Sequence, residues 1–134
     1  MTARTRRVVP TEAQEQAAVL SWWASYCRTI KQDVRLLVAV PNGSVLAGDA
    51  RQRAMQMNKL KATGLRLGFP DLLLLIPFWS KFAAGLAIEM KRIGEKARPE
   101  QLAYHELLRA QGYRVVVCAG FDAAKAAIVD YLEH

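Results

Sequence analysis

Three charged residues stand at the ends of two apolar segments in the middle of the chain. Asp71 opens the run Leu72–Ile76, and Glu89 and Lys91 end the later run Leu86–Lys91. Successive side chains of a strand alternate between its faces, so Glu89 and Lys91 share one face, and Asp71 converges on it if the strands are neighbours. Two carboxylates can hold a hard cation, and a lysine can supply fixed positive charge or orient a water. The pattern predicts the chemistry of a metal-dependent phosphodiesterase.

The residues around these charges favour a site over an exposed pair at a strand end, which is the alternative interpretation of Glu89 and Lys91. The flanks are strongly apolar, so the charges are expected at the ends of central strands. Charges in such places are costly unless they are paired or bind a metal. Gly68, just before Asp71, is expected to let the backbone come close to a ligand.

The elements that must position these residues follow from apolar periodicity and turn signals. The predicted helices are Glu12 to about Lys31, Asp49–Thr63, Pro99 to about Gln111, and Ala123–Leu132. The predicted strands are Val34–Val40, Asp71–Ile76, Leu86–Lys91 and Arg114–Cys118. Thr11 and Asp122 are expected to cap the first and last helices, and Gly64 and Gly112 to end the second and third. The second and third strands are predicted to form an antiparallel hairpin with a long connection, Pro77–Gly85.

Composition sets the class of protein and of partner. The chain has 134 residues, 52% of them hydrophobic, and a net charge of +7. This fits one globular domain, predicted at residues 11–134, behind a flexible basic tail at residues 1–10. The positive charge favours a polyanionic partner, with nucleic acid first and an anionic membrane second.

The sequence lacks the features of membrane-spanning, secreted and zinc-binding proteins. The longest apolar run, Leu72–Trp79, is far shorter than the ~20 residues of a membrane span, and no secretory signal or membrane-binding amphipathic helix is evident. We therefore expect a cytoplasmic protein with no membrane partner. Cys27 and Cys118 match no zinc spacing and are expected to be buried free thiols. His105 has no Cys or His at ligand spacing and is interpreted as structural.

The stretch before Gly68 is the most basic part of the middle of the chain. Its cations are expected either to hold backbone phosphates or to form a merely solvated helix face. They include Arg51, Arg53, Lys61 and Arg66. Trp22 and Trp23, on the first helix, are interpreted as core residues rather than base-stacking platforms.

A longer series of motifs along the chain accompanies Asp71, Glu89 and Lys91. In chain order it comprises Glu12 and Gln16, Pro41-Asn42-Gly43, Leu60-Lys61-x-x-Gly64, Gly68-x-Pro70-Asp71-Leu72, Glu89-x-Lys91, Gln101 and Gly112-Tyr113. This series resembles the VRR-NUC family of the PD-(D/E)XK nuclease superfamily, in the stand-alone form common in phages and prophages. The resemblance covers the chain from about Thr11 to Leu132.

The resemblance implies an α/β fold of the restriction-endonuclease type, with a four-stranded mixed sheet flanked by helices. It implies a nuclease dependent on Mg²⁺ or Mn²⁺, in which Asp71 and Glu89 are metal ligands and Lys91 is the catalytic lysine. Gln101 would be the family's glutamine beside the site. Glu12, supported by Gln16, is the first candidate for the metal-binding acid of the first helix. Glu15, on an adjacent helix face, is its rival.

The implied substrate is DNA, duplex or branched, in the cytoplasm of a bacterium or of a phage-infected host cell. Lys61 and Asn42 lie in matched motifs and are predicted, with the neighbouring arginines, to contact nucleic acid. Stand-alone members resemble Holliday-junction resolvases, which suggests a structure-selective endonuclease and a homodimer, although no sequence feature by itself indicates the dimer. The alternative is a non-catalytic nucleic-acid-binding module that retains the nuclease fold.

Overall fold

The computed structural model describes residues 8–41 and 46–133. Its helices are α1 (Glu12–Ile30), α2 (Ala50–Ala62), α3 (Pro99–Ala110) and α4 (Phe121–Glu133). Its strands are β1 (Leu37–Ala39), β2 (Leu72–Leu74), β3 (Leu86–Lys91) and β4 (Arg114–Ala119). They form one sheet in the order β1-β2-β3-β4, antiparallel except for the parallel pair β3–β4. The predicted mixed four-stranded sheet with flanking helices, and its β2–β3 hairpin, are confirmed.

Strand β3 lies in the middle of the sheet and is buried along its whole length. Its alternate residues Leu86, Ile88 and Met90 pack into one apolar cluster with residues of α1 and α4, including Trp23 and Ile128. Glu89 and Lys91 alternate with them and therefore point to the opposite face. A strand covered on both sides explains the continuous apolar pattern, and it leaves the two charges at a buried strand end.

Helices α1 and α4 are joined by hydrogen bonds at both ends. Glu15 Oε2 accepts from the backbone N–H of Phe121, the first residue of α4. The Tyr26 hydroxyl donates to Glu133 Oε1, 2.6 Å away, at the other end of α4. The two helices therefore run in the same direction and cover the same side of the sheet.

Three expectations about the elements were wrong in detail. Residues Val34–Leu36 form a 3₁₀ turn before β1, because the Asp33 side chain accepts from the backbone N–H of Arg35. The second strand spans Leu72–Leu74 rather than the predicted Asp71–Ile76, and the connection that follows it contains a 3₁₀ turn at Trp79–Lys81. Asp122 does not cap the last helix, because α4 already begins at Phe121 and Glu15 binds the N–H at its start.

The remaining expectations for core and partners have mixed outcomes. Trp23 is almost fully buried and Trp22 packs against the same core, so their interpretation as core residues is confirmed. Cys27 and Cys118 are confirmed as buried free thiols. None of the helices within residues 8–41 and 46–133 is long and apolar enough to span a membrane. Asn42 and the arginines of the predicted tail lie outside the described residues.

Candidate active site

The predicted convergence of the three charges follows from the register of β2 and β3. Leu72 pairs with Ile88, so Asp71 comes opposite Glu89 one step further along. The backbone N–H of Met90 donates to Asp71 Oδ2 at 2.7 Å, which fixes the Asp71 carboxylate against β3. Glu89 is fully buried and Lys91 is 5% exposed. Antiparallel pairing thus brings two carboxylates and a lysine together at one end of the sheet.

The electrostatics of this cluster show that its members act on one another. Burial, and then the nearby Asp71 carboxylate, raise the pKa of Glu89 to about 9, while Lys91 opposes this rise. Burial also raises the pKa of Glu12, again with Asp71 as the next cause and Lys91 opposing. Crowded acids that hold a proton so tightly are typical of sites where a cation can take the place of that proton.

The donor set fits a hard divalent cation held by few protein ligands. Among residues 8–41 and 46–133, no three His, Cys, Asp or Glu side chains are grouped closely enough to hold a metal by themselves. Mg²⁺ needs no such group, because it keeps several waters and is usually bound through one or two carboxylates and substrate phosphates. Within the described part of the chain, the buried Glu89 Oε2 has no hydrogen-bond partner. An anionic oxygen in that position is compensated best by a cation.

The structure distinguishes the two candidate acids of α1. Glu12 lines a cavity together with Asp71, and burial followed by the Asp71 carboxylate raises the pKa of Glu12. Glu15 is buried and binds the N–H at the start of α4. Glu12 therefore belongs to the candidate site, whereas Glu15 serves to anchor α4.

A cavity of about 800 Å³ opens beside the carboxylates. Its polar lining combines Glu12, Gln16, Asp71, Arg98 and Gln101, and the rest of its wall is apolar and comes from α1 and from residues 39–41. Gln101 Oε1 also accepts from the backbone N–H of Arg98, 2.8 Å away, at the N-terminus of α3. The predicted position of Gln16 and Gln101 beside the acids is thus observed, and Gln101 additionally stabilises the start of α3.

Gly68 has a different role from the one expected. Its φ angle is +87°, and an added Cβ would lie 2.6 Å from the carbonyl oxygen of Glu100. The close approach at Gly68 is therefore made to the backbone of α3. The next residue, Phe69, packs edge-on against Tyr104 of α3 with ring centroids 5.2 Å apart. These contacts hold the segment that carries Asp71 against α3.

The basic helix α2 contrasts with this cluster. None of its residues, all of which are described, is buried. Its N-terminus has a capping box between Asp49 and Gln52, and its C-terminus ends in a Schellman motif at Gly64, with the N–H of Leu65 donating to the carbonyl of Leu60 at 2.8 Å. Local hydrogen bonds therefore define this helix, and its cations are left in water. They include Arg51, Arg53 and Lys61, and Arg66 beyond the helix is exposed as well.

The sequence patterns did not predict that His105 lies beside the site. It is fully buried on α3, and its Nε2 lies 3.2 Å from Glu89 Oε1. Its position four residues after Gln101 places the two on one helix face, which is the one signal in the sequence that points toward the site.

Comparison with known proteins agrees with this geometry. A model of the VRR-NUC domain matches residues 2–122. The chain belongs to the VRR-NUC family. A solved structure described as a VRR_NUC domain protein is 26% identical to it, covers 94% of this chain and 91% of its own, and superposes with a TM-score of 0.73. No curated protein matches the chain. Membership of the VRR-NUC family implies a nuclease-type function within the PD-(D/E)XK superfamily.

Proposed function

We propose that this VRR-NUC protein is a divalent-metal-dependent nuclease that hydrolyses phosphodiester bonds in DNA. The observation that carries the proposal is that the register of β2 and β3 sets Asp71 opposite the fully buried Glu89, with Lys91 on the same strand face as Glu89. An acid pair with one fully buried member, beside a buried lysine, is costly to fold and contributes little to the apolar core. Such a cluster is best explained by a charged ligand that it holds.

Each residue of the cluster and of the cavity wall has a proposed role in this reaction. Asp71 and Glu89 would hold Mg²⁺ or Mn²⁺, with Glu12 at the cavity wall as the third acid. The bound metal supplies Lewis-acid polarisation of the phosphate and lowers the pKa of a water. Lys91 offsets negative charge that develops on the phosphate or orients the attacking water. Gln101 and Gln16 line the cavity beside the acids, where the reacting nucleotide would lie, and Gln16 would support Glu12.

DNA binding is assigned to the exposed cations outside this cluster. On α2 and just after it, Arg51, Arg53, Lys61 and Arg66 are free to meet phosphates because none of them is buried in the fold. Asn42, which lies outside the described residues, is included on the strength of the family motif alone. Charges of this kind set affinity and its dependence on salt, and they do not read sequence.

We further propose that the substrate is branched DNA, cut by a homodimer. The domain is small, and one copy offers limited surface for a duplex beyond the site and α2. Two copies would present two sites to two strands, as in the Holliday-junction resolvases that the stand-alone family members resemble.

The test is cleavage of labelled single-stranded, duplex, flap and four-way-junction DNA with Mg²⁺, Mn²⁺ or excess chelator. We expect cleavage only with metal, and preference for a branched substrate. Glu89→Gln, which keeps the side-chain shape, should abolish cleavage, whereas Glu106→Gln, at an exposed position of α3, should not. Cleavage in chelator would refute the metal mechanism. Tight DNA binding without cleavage under every condition would favour the non-catalytic nucleic-acid-binding module.

A further inference from the structure

We propose that His105 is a positioning residue that holds Glu89 in the orientation needed to bind the metal. The inference rests on the proposed function in one respect, the assignment of Glu89 as a metal ligand. It adds a partner for that ligand on α3, outside the set of acids, lysine and glutamines already described.

The geometry places the imidazole against one oxygen of Glu89 and away from the other. His105 Nε2 lies 3.2 Å from Glu89 Oε1, and both side chains are fully buried. The second oxygen, Oε2, is buried and has no hydrogen-bond partner among the described residues. One oxygen is thus held by His105, and the carboxylate of Asp71, the second proposed metal ligand, also acts on Glu89.

The hydrogen-bond pattern also selects the tautomer of His105. A metal-bound carboxylate has no proton to donate, so the contact requires a hydrogen on Nε2. Nδ1 has no partner within the described residues. A bare acceptor nitrogen tolerates this better than a buried N–H would, and the other tautomer would leave Nδ1–H unsatisfied while turning the Nε2 lone pair toward Oε1. Only the Nε2–H form therefore suits both nitrogens.

Helix α3 is fixed firmly enough to give this contact a defined position. The Gly68 backbone packs directly against Glu100, Phe69 packs on Tyr104, and Gln101 closes the first turn. His105 lies one turn later on the same helix face as Gln101. The orientation of Glu89 is therefore set by α3, just as that of Asp71 is set by the backbone of Met90. Partners that orient a metal ligand in this way typically change metal affinity by about 10–100-fold.

The experiment compares two substitutions by Mn²⁺ binding without DNA, measured by calorimetry and by electron paramagnetic resonance. His105→Phe keeps the ring volume but has no donor, and His105→Gln restores an N–H near the position of Nε2. We expect about 10–100-fold weaker Mn²⁺ binding for His105→Phe and recovery of most of the affinity for His105→Gln, with circular dichroism spectra like the wild type. Wild-type affinity in His105→Phe, or equal loss in both variants, would overturn the proposal.

A second measurement needs no folded variant at position 105. Nitrogen-15 NMR of the wild-type protein in saturating Mg²⁺, which displaces the proton of Glu89, should show the buried imidazole with its hydrogen on Nε2 and a bare Nδ1. His134→Gln removes the only other histidine of the chain and leaves a single set of ring signals. A hydrogen on Nδ1 would overturn the proposal. Absence of Mn²⁺ binding by the wild type would refute both proposals, whereas Mn²⁺ binding without DNA cleavage would count only against the nuclease.

Discussion

The end of β3 and helix α2 carry charges in opposite ways. Glu89 and Lys91 are buried among other charged groups, and burial together with Asp71 displaces the pKa of Glu89 far upward. The cations of α2 lie in water on a helix that buries none of its residues and is defined by its caps. The first group depends on tertiary structure and is costly, whereas the second depends on local sequence and costs little. This difference agrees with the proposed hydrolysis at the end of β3 and the proposed DNA binding at α2.

The largest expected effect is on cleavage, from substitutions in the buried cluster. Asp71→Asn, Glu89→Gln and Lys91→Met should each reduce the rate by at least ~100-fold, because each removes a proposed metal ligand or the charge proposed to act in the transition state. Single-turnover cleavage at saturating enzyme measures this without interference from binding. A variant that retains near-normal turnover would remove its residue from the site.

The second prediction concerns how the stability of the fold depends on pH when excess chelator keeps the protein free of metal. Folding raises the pKa of Glu89 from 4.5 to about 9, so between these values the folded protein binds more protons than the unfolded chain. The contribution of this carboxyl to stability therefore falls as pH rises through that window. Glu89→Gln removes the titration. The variant should gain in Tm relative to the wild type between pH 5 and pH 8, and a Tm difference independent of pH would contradict the assigned shift.

The third prediction applies to α2 and should leave the cluster untouched. If Lys61 and Arg53 contact phosphates, Lys61→Ala and Arg53→Ala should each lower the slope of log affinity against log salt by about one unit. Mn²⁺ affinity should not change. Arg28→Ala, an exposed arginine at the far end of α1, is the matched control. Unchanged slopes in both α2 variants would mean that this face is only solvated.

The smallest expected effect tests whether α2 is held locally. Gly64 has a φ angle of +116° with open space around it, so Gly64→Ala meets no clash and suffers only the strain of the left-handed conformation, about 1 kcal/mol. Amide hydrogen exchange should become faster in α2 and stay unchanged in β3. A matching acceleration in β3 would show that α2 is coupled to the core more tightly than its exposure indicates.

The parts of the site that could be predicted from sequence depend on strand geometry alone. Alternation along β3 and antiparallel pairing with β2 are sufficient to bring Asp71, Glu89 and Lys91 together. The motif series also identified the family, which the comparison confirms. The roles of the site residues, including Glu12 and Gln101, stay predictions, although the structure places both at the cavity.

What could not be predicted depends on how helices dock. The sequence favours Glu12 over Glu15 only through the motif series, and their different surroundings become visible when the start of α4 is seen to lie against Glu15. His105 reaches Glu89 only because α3 packs on that face of β3. Gly68 meets the backbone of α3 rather than a ligand for the same reason. Such contacts join residues far apart in sequence, and neither periodicity nor turn signals encode them.

The pairing of α1 with α4 has a consequence for how Glu12 reaches its position when the protein folds. Glu15 and Tyr26, near the start of the chain, bind Phe121 and Glu133, near its end. The helix that carries Glu12 is therefore docked by contacts that span 106 and 107 residues of sequence, and contacts of such long separation slow folding because a long loop must close before they form. A chain that stops before α4 lacks the bonds that set Glu12 in place. Docking of α4 is thus needed to fix the position of Glu12, whereas Asp71, Glu89 and Lys91 come together through the pairing of β2 with β3.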